Sequence, residues 1–169
     1  RHGGTPVMWK TGHSLIKQKM SDNNCKFGGE MSGHIFFADD YFGYDDATYV
    51  AARTVQMLSR TNKKLSELVI ELPKYYSTPE IRMTCESDEE KFRIAQEAAV
   101  YFNSNYDCST IDGVRIQFGD GWGLIRASNT QPVIVCRFEA KTKERMEEIK
   151  KIVLDKLTVF GKVDIETGH

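Results

Sequence analysis

Two prolines six residues apart, Pro73 and Pro79, with Tyr75 and Tyr76 between them, set the limits on how this chain can fold. Proline lacks an amide donor and pushes the residue before it away from helical geometry, so no helix runs through PKYYSTPE. A length of 169 residues suits one domain or two small ones. The proline break argues for two, with expected spans 1–72 and 73–169.

The first part alternates short apolar runs with helical patterns in the α/β manner. Residues 5–9 (TPVMW) read as a buried strand, followed by a turn at KTGH and a helix to about residue 22, capped by Ser14, with Leu15, Ile16 and Met20 on its apolar face. Residues 26–30 and 35–37 read as two short strands meeting at a polar bend. Asp45 or Asp46 then caps a helix over 47–60, in which Val50, Ala51, Thr54, Val55 and Leu58 recur on one face, and a shorter helix covers 65–72. The expected fold class of this part is α/β, a mixed sheet with helices.

The second part reads differently. A strand at 81–85 precedes a helix at 88–102, opened by Ser87 and an acidic first turn that suits the helix dipole. Residues 103–107 read as a polar loop. Three strands follow, at 114–118, 123–127 and 133–140, and Thr142 caps a helix from 143 to about 157 that buries Met146, Ile149, Ile152 and Val153. The order β-α-β-β-β-α predicts an α+β domain, an antiparallel sheet with two helices on one face.

Composition removes several function classes. With 23 basic and 24 acidic residues, the net charge of -1 supplies no field that attracts nucleic acid or membrane. The four cysteines, Cys25, Cys85, Cys108 and Cys136, form no CxxC pair and no zinc pattern; they read as reduced thiols, mostly buried, in a cytoplasmic protein. No stretch reaches the roughly 18 apolar residues of a membrane span. The chain opens RHGGTPVMW, without methionine and with almost no lead-in before the first expected strand, so it reads as a piece of a larger protein.

Chemistry concentrates in three places. GDGWGLIRASNTQP, residues 119–132, sets three alternating glycines suited to a turn ahead of Arg126, Ser128, Asn129 and Thr130. A guanidinium fork, two hydroxyls and an amide can surround phosphate oxygens. The same residues also make an ordinary turn beside an arginine that pairs with a surface carboxylate. In GGEMSGH, Glu30, Ser32 and His34 alternate, so an extended backbone projects a carboxylate, a hydroxyl and an imidazole to one face, suited to neighbouring sugar hydroxyls or simply to a solvated hairpin. That geometry argues against a nucleophilic triad, because same-face neighbours stand about 7 Å apart. In KTGHS, His13 sits where a strand hands over to a helix and either meets a sugar, assists proton transfer or caps the helix. The motifs GxxxxGK[ST] and GxGxxG are absent, which argues against nucleotide binding. The pairs Asp39-Asp40 and Asp45-Asp46 read as solvated or capping residues, with no metal expected.

Taken in order, GGTPVMWKTGHS, GGEMSGH with IFFADDYFGYDD, and DGVRIQFGDGWGLIRASNTQPVIVCRFEA resemble the α-D-phosphohexomutase superfamily, in particular its bacterial phosphomannomutase/phosphoglucomutase members. The resemblance covers nearly the whole chain and only the C-terminal part of such four-domain enzymes. It implies a partial third domain over 1–72 and a fourth, TATA-box-binding-protein-like domain over 73–169. It further implies sugar binding by Glu30, Ser32 and His34, with His13 assisting, and phosphate binding by Arg126, Ser128, Asn129 and Thr130. The implied activity is the interconversion of hexose 1-phosphate and hexose 6-phosphate (mannose or glucose) through a phosphoserine and a bisphosphorylated intermediate, with Mg2+ as cofactor and a hexose bisphosphate as activator. The phosphoserine motif and the magnesium-binding aspartate cluster of the family are missing here, and no DxD occurs. This chain alone is therefore expected to be inactive without the N-terminal domains. The alternative is a non-catalytic phosphosugar-binding module.

Overall fold

Between Pro73 and Lys74 the computed structural model, which describes residues 3–165, divides into two compact units. In the first, helix α1 (His13–Asp22) leads into a hairpin of β1 (Phe27–Gly29) and β2 (Ile35–Phe37), antiparallel with Gly28 opposite Phe36. Helices α2 (Ala47–Ser59) and α3 (Leu65–Ile70) follow. Asp46 caps α2: its carboxylate accepts from the Tyr49 amide at 3.0 Å, satisfying a donor the first helical turn leaves free.

Three expectations for this unit are corrected. Residues 5–9 form no strand, and Val7 and Met8 are 47% and 64% exposed. A strand needs a ladder partner, and β1 and β2 of this unit are paired with each other. Helix α1 starts at His13 with Gly12 in the capping position, so Ser14 lies inside its first turn and caps nothing. Helix α2 buries no residue; Val50, Thr54 and Leu58 are half-buried, while Ala51 and Val55 face out. A three-residue hairpin is too small to cover a helical stripe, and the fully buried apolar side chains of this unit are Met20 and Phe36.

The second unit is one antiparallel sheet backed by two long helices. Its elements are β3 (Tyr76–Ser77), β4 (Ile81–Thr84), α4 (Asp88–Asn105), β5 (Cys108–Ser109), β6 (Val114–Gln117), β7 (Gly121–Ala127), β8 (Val133–Ala140), α5 (Lys143–Phe160) and β9 (Asp164–Ile165). The strand order is β5-β6-β7-β8-β4-β9, with β3 also on β8. Ser87 and Thr142 cap the helices, accepting from the amides of Glu90 at 3.1 Å and Arg145 at 3.2 Å. Alternate residues of β8, Ile134, Cys136, Phe138 and Ala140, meet Ile94, Ala98 and Phe102 of α4 and Met146, Ile149, Val153 and Leu157 of α5 in a single core. Leu157 takes the buried place expected for Ile152, which is half-buried. The expected order β-α-β-β-β-α is present, with β3, β5 and β9 added as two-residue strands too short to show periodicity.

Two further boundaries differ from the pattern. Helix α4 continues to Asn105 through the expected polar loop, because Ser104 and Asn105 return their side chains to the carbonyls of Val100 and Tyr101 at 2.9 and 2.7 Å. The three glycines of GDGWG do not share a turn. Gly119 has φ +79 and makes the β6–β7 turn, whereas Gly121 already belongs to β7 opposite Ala140. A Cβ on Gly121 would stand 2.6 Å from the Glu139 carbonyl oxygen and 2.7 Å from Ile149 Cδ1. Its glycine serves close helix–sheet approach rather than chain reversal.

Candidate functional site

In the first unit the residues picked out from sequence gather around the β1–β2 turn. Residues 30–34 are not extended: the Glu30 amide donates to the His34 carbonyl at 2.8 Å and the Gly33 amide to the Glu30 carbonyl at 3.0 Å, closing a tight loop. This corrects the one-face arrangement, since Ser32 Oγ now reaches Glu30 Oε2 at 3.4 Å. The other carboxylate oxygen, Oε1, accepts the Gly12 amide at 2.6 Å, fastening the KTGH turn to the loop. His13 is thereby held with its ring 6.4 Å from that of His34. The structure brings His13, Glu30, Ser32 and His34 together, with the ring of His34 turned to Asp45 instead of Ser32. Ser32 therefore faces a carboxylate and not the imidazole, so a histidine-activated serine is not assembled here.

Asp45 is the residue that sequence reasoning missed in this cluster. His34 Nδ1 lies 2.5 Å from Asp45 Oδ2, both side chains being about half exposed. An isolated bridge between Phe36 and Asp45 carries the acidic segment alongside β2 and places the carboxylate there. The sequence left Asp45 and Asp46 as rival helix caps; they divide the work, Asp46 capping α2 and Asp45 meeting the imidazole. The Tyr41 hydroxyl, 2.6 Å away, joins the Tyr49 amide in holding the Asp46 carboxyl below the usual range. Asp39 is likewise held low, by Arg53. Three of the four paired aspartates thus have protein partners, and among the described residues no cluster of histidine, cysteine or carboxylate could hold a metal ion.

In the second unit Arg126 stands near the end of β7, opposite Val135, and the chain then turns through 128–132. The Ser128 amide donates to the Val133 carbonyl at 2.9 Å and closes the loop, and Ser128 Oγ accepts the Thr130 amide at 3.3 Å. Asn129 and Thr130 are exposed. Among the described residues the Arg126 guanidinium has no carboxylate partner, so the surface ion pair that sequence left open does not form. Arginine, two hydroxyls and an amide thus lie within five residues at a strand end with the guanidinium uncommitted, an arrangement able to coordinate an oxyanion.

At the other end of β7, Asp120 accepts from Arg145 Nε at 3.0 and 3.1 Å, tying the Gly119 turn to the first turn of α5. That hydrogen bond holds the Asp120 carboxyl below its ordinary value.

The units are those of a two-domain protein, an α/β part and an α+β part, each carrying one polar loop. The chain belongs to the phosphoglucomutase/phosphomannomutase family: residues 1–76 match its alpha/beta/alpha domain III and residues 80–156 its C-terminal domain. It is 47% identical over 159 residues to the phosphomannomutase/phosphoglucomutase of Pseudomonas aeruginosa, covering 92% of this chain and 34% of that protein. It is 42% identical over 151 residues to the phosphoglucomutase of Neisseria gonorrhoeae, covering 88% and 33%. A crystal structure of a phosphoglucomutase/phosphomannomutase family protein from Burkholderia thailandensis superimposes with a TM-score of 0.84 at 36% identity, over 95% of this chain and 34% of that one. The chain therefore spans about a third of the length of these relatives.

Proposed function

We propose that this chain is the substrate-holding C-terminal part of a phosphohexomutase that interconverts hexose 1-phosphate and hexose 6-phosphate. The observation that carries the reading is Arg126, a guanidinium that has no carboxylate partner among the described residues and stands beside the hydroxyl and amide donors of 128–130. In this reading Arg126, Ser128, Asn129 and Thr130 hold the phosphate that is not reacting. Glu30, Ser32 and His34 grip adjacent sugar hydroxyls, with His13 beside them.

A carboxylate accepts from two hydroxyls and an imidazole donates or accepts, so such a loop serves a sugar in either of two orientations. That matters when a bisphosphorylated intermediate must turn over between two phosphoryl transfers. Phosphoryl transfer depends on positioning and charge stabilisation, so residues that hold the substrate still are catalytic in effect. The phosphoserine that donates and recovers the phosphoryl group belongs to the N-terminal domains of the intact protein. The magnesium ion of the family is assigned there too; of the paired aspartates in this chain, Asp39, Asp45 and Asp46 are engaged by Arg53, His34 and a helix cap. A hexose bisphosphate is the expected activator. No helix among the described residues is long and apolar enough to cross a membrane, and the four cysteines are free thiols; we place the protein in the cytoplasm, with neither nucleic acid nor membrane as partner.

The test is turnover of glucose 1-phosphate to glucose 6-phosphate by the intact protein, wild type against Arg126→Ala. A loss of at least about tenfold in kcat/KM is expected from one charge-assisted contact. Unchanged kinetics would take Arg126 out of the site. Tight phosphosugar binding by an intact protein without turnover would favour a non-catalytic binding module.

A further inference from the structure

Lys91 is 2% exposed, in the first turns of α4, although it is a lysine. Its Nζ donates to Asp88 Oδ1 at 2.7 Å and to the Gln131 carbonyl oxygen at 2.9 Å, and it stands 4.5 Å from the centre of the Phe92 ring. Burying an ammonium is costly unless it is paired and hydrogen-bonded, and an apolar side chain of the same length would fill the space without that cost. The Asp88 side chain is 70% exposed, so the ion pair by itself gives no reason to draw the lysine inside. The inward contact is the Gln131 carbonyl.

That carbonyl belongs to the loop 128–132. Gln131 is held a second time through its side chain, whose Oε1 accepts from Arg82 of β4. The next carbonyl, that of Pro132, accepts the Cys85 amide at 2.8 Å. The returning limb of the loop is thus clamped to α4 and β4, while its tip, Asn129 and Thr130, is exposed. A clamped limb fixes where the tip's donors point.

We propose that Lys91 is a positioning residue for phosphate binding at 128–130, acting through the Gln131 carbonyl. The proposal rests on the reading of that loop as phosphate-holding. It assigns a role to a buried charge at a distance from the ligand, and it separates Lys91 from the residues that touch phosphate.

The experiment is an NMR titration of the 169-residue chain with inorganic phosphate, following the amides of Ser128, Asn129 and Thr130 in wild type, Arg126→Ala, Lys91→Met and Lys91→Arg. Lys91→Met should weaken phosphate binding by about tenfold, the scale of a hydrogen bond involving a charged group, with Lys91→Arg recovering part of the loss. In wild type, the protected ammonium signal of Lys91 should shift in step with the loop amides, a readout that needs no variant to fold. Lys91→Met that melts lower but binds phosphate as wild type makes the lysine purely structural and overturns the proposal, as does an ammonium signal that ignores phosphate. If Arg126→Ala also binds as wild type, the loop is not the phosphate site and both readings fall. Arg126→Ala losing binding while Lys91→Met keeps it sinks only the present inference.

Discussion

His34 and Asp45 are 11 residues apart in sequence and 2.5 Å apart at Nδ1 and Oδ2. A carboxylate can only accept, so it holds the proton of a neutral imidazole on Nδ1 and leaves Nε2 as the acceptor. The intervening segment reaches back through the Phe36–Asp45 bridge to make that contact. The imidazole of the 30–34 loop is therefore oriented by a residue outside the loop, as metal-binding histidines are by their outer carboxylates.

Asp45→Ala should release that tautomer. Nitrogen NMR of His34 is expected to show a proton on Nδ1 in wild type and a shift toward Nε2 in the variant, with a KM for hexose phosphate raised severalfold in the intact protein. An unchanged tautomer would mean that the contact does not orient the ring.

Glu30 has two attachments inside the protein, the Gly12 amide and the Ser32 hydroxyl. Glu30→Gln keeps the size and one acceptor while removing the charge. It should raise the KM for hexose phosphate by about tenfold, because a charged acceptor is worth more than a neutral one, with a small change in melting temperature. A large melting loss with normal kinetics would recast Glu30 as a clasp for the 10–13 turn.

The Asp120–Arg145 contact has a definite pH signature. Arg145 holds the Asp120 carboxyl below its ordinary 3.8, so the folded state favours the ionised form. The stabilisation is complete above that ordinary value and is lost as pH falls through the lower, folded value. Asp120→Asn should therefore melt below wild type at pH 7, with the gap closing below about pH 4 and shrinking in high salt, since Asp120 is half exposed. An equal gap at pH 3 and pH 7 would assign the effect to something other than charge.

Gly121→Val forces a side chain between β8 and α5. Overpacking of this kind costs about 1–3 kcal/mol, read as a lower urea midpoint at unchanged slope. Gly119→Ala meets open space and loses only the comfort of φ +79, about 1 kcal/mol. A Gly121 variant as stable as wild type would show that α5 can move off the sheet at no cost.

The parts of this fold legible in sequence are those written locally. Asp46, Ser87 and Thr142 sit one residue ahead of their helices, and the strand Val133–Ala140 matches its pattern to the residue. What could not be read depends on partners far along the chain. TPVMW looks like a strand, yet pairing decides whether a strand exists, and the composition of Gly121 reads as a turn until Ile149 is seen against it. The candidate site divides in the same way. Arg126, Ser128, Asn129 and Thr130 are contiguous and stand out at once, whereas Asp45 and Lys91 enter through contacts 11 and 40 residues away.

The most direct measurement is calorimetric titration of the 169-residue chain with glucose 6-phosphate, wild type against Arg126→Ala. The account predicts saturable binding at one site in wild type and a loss of at least about tenfold in affinity on removal of the guanidinium. Equal affinity in the two proteins would contradict it.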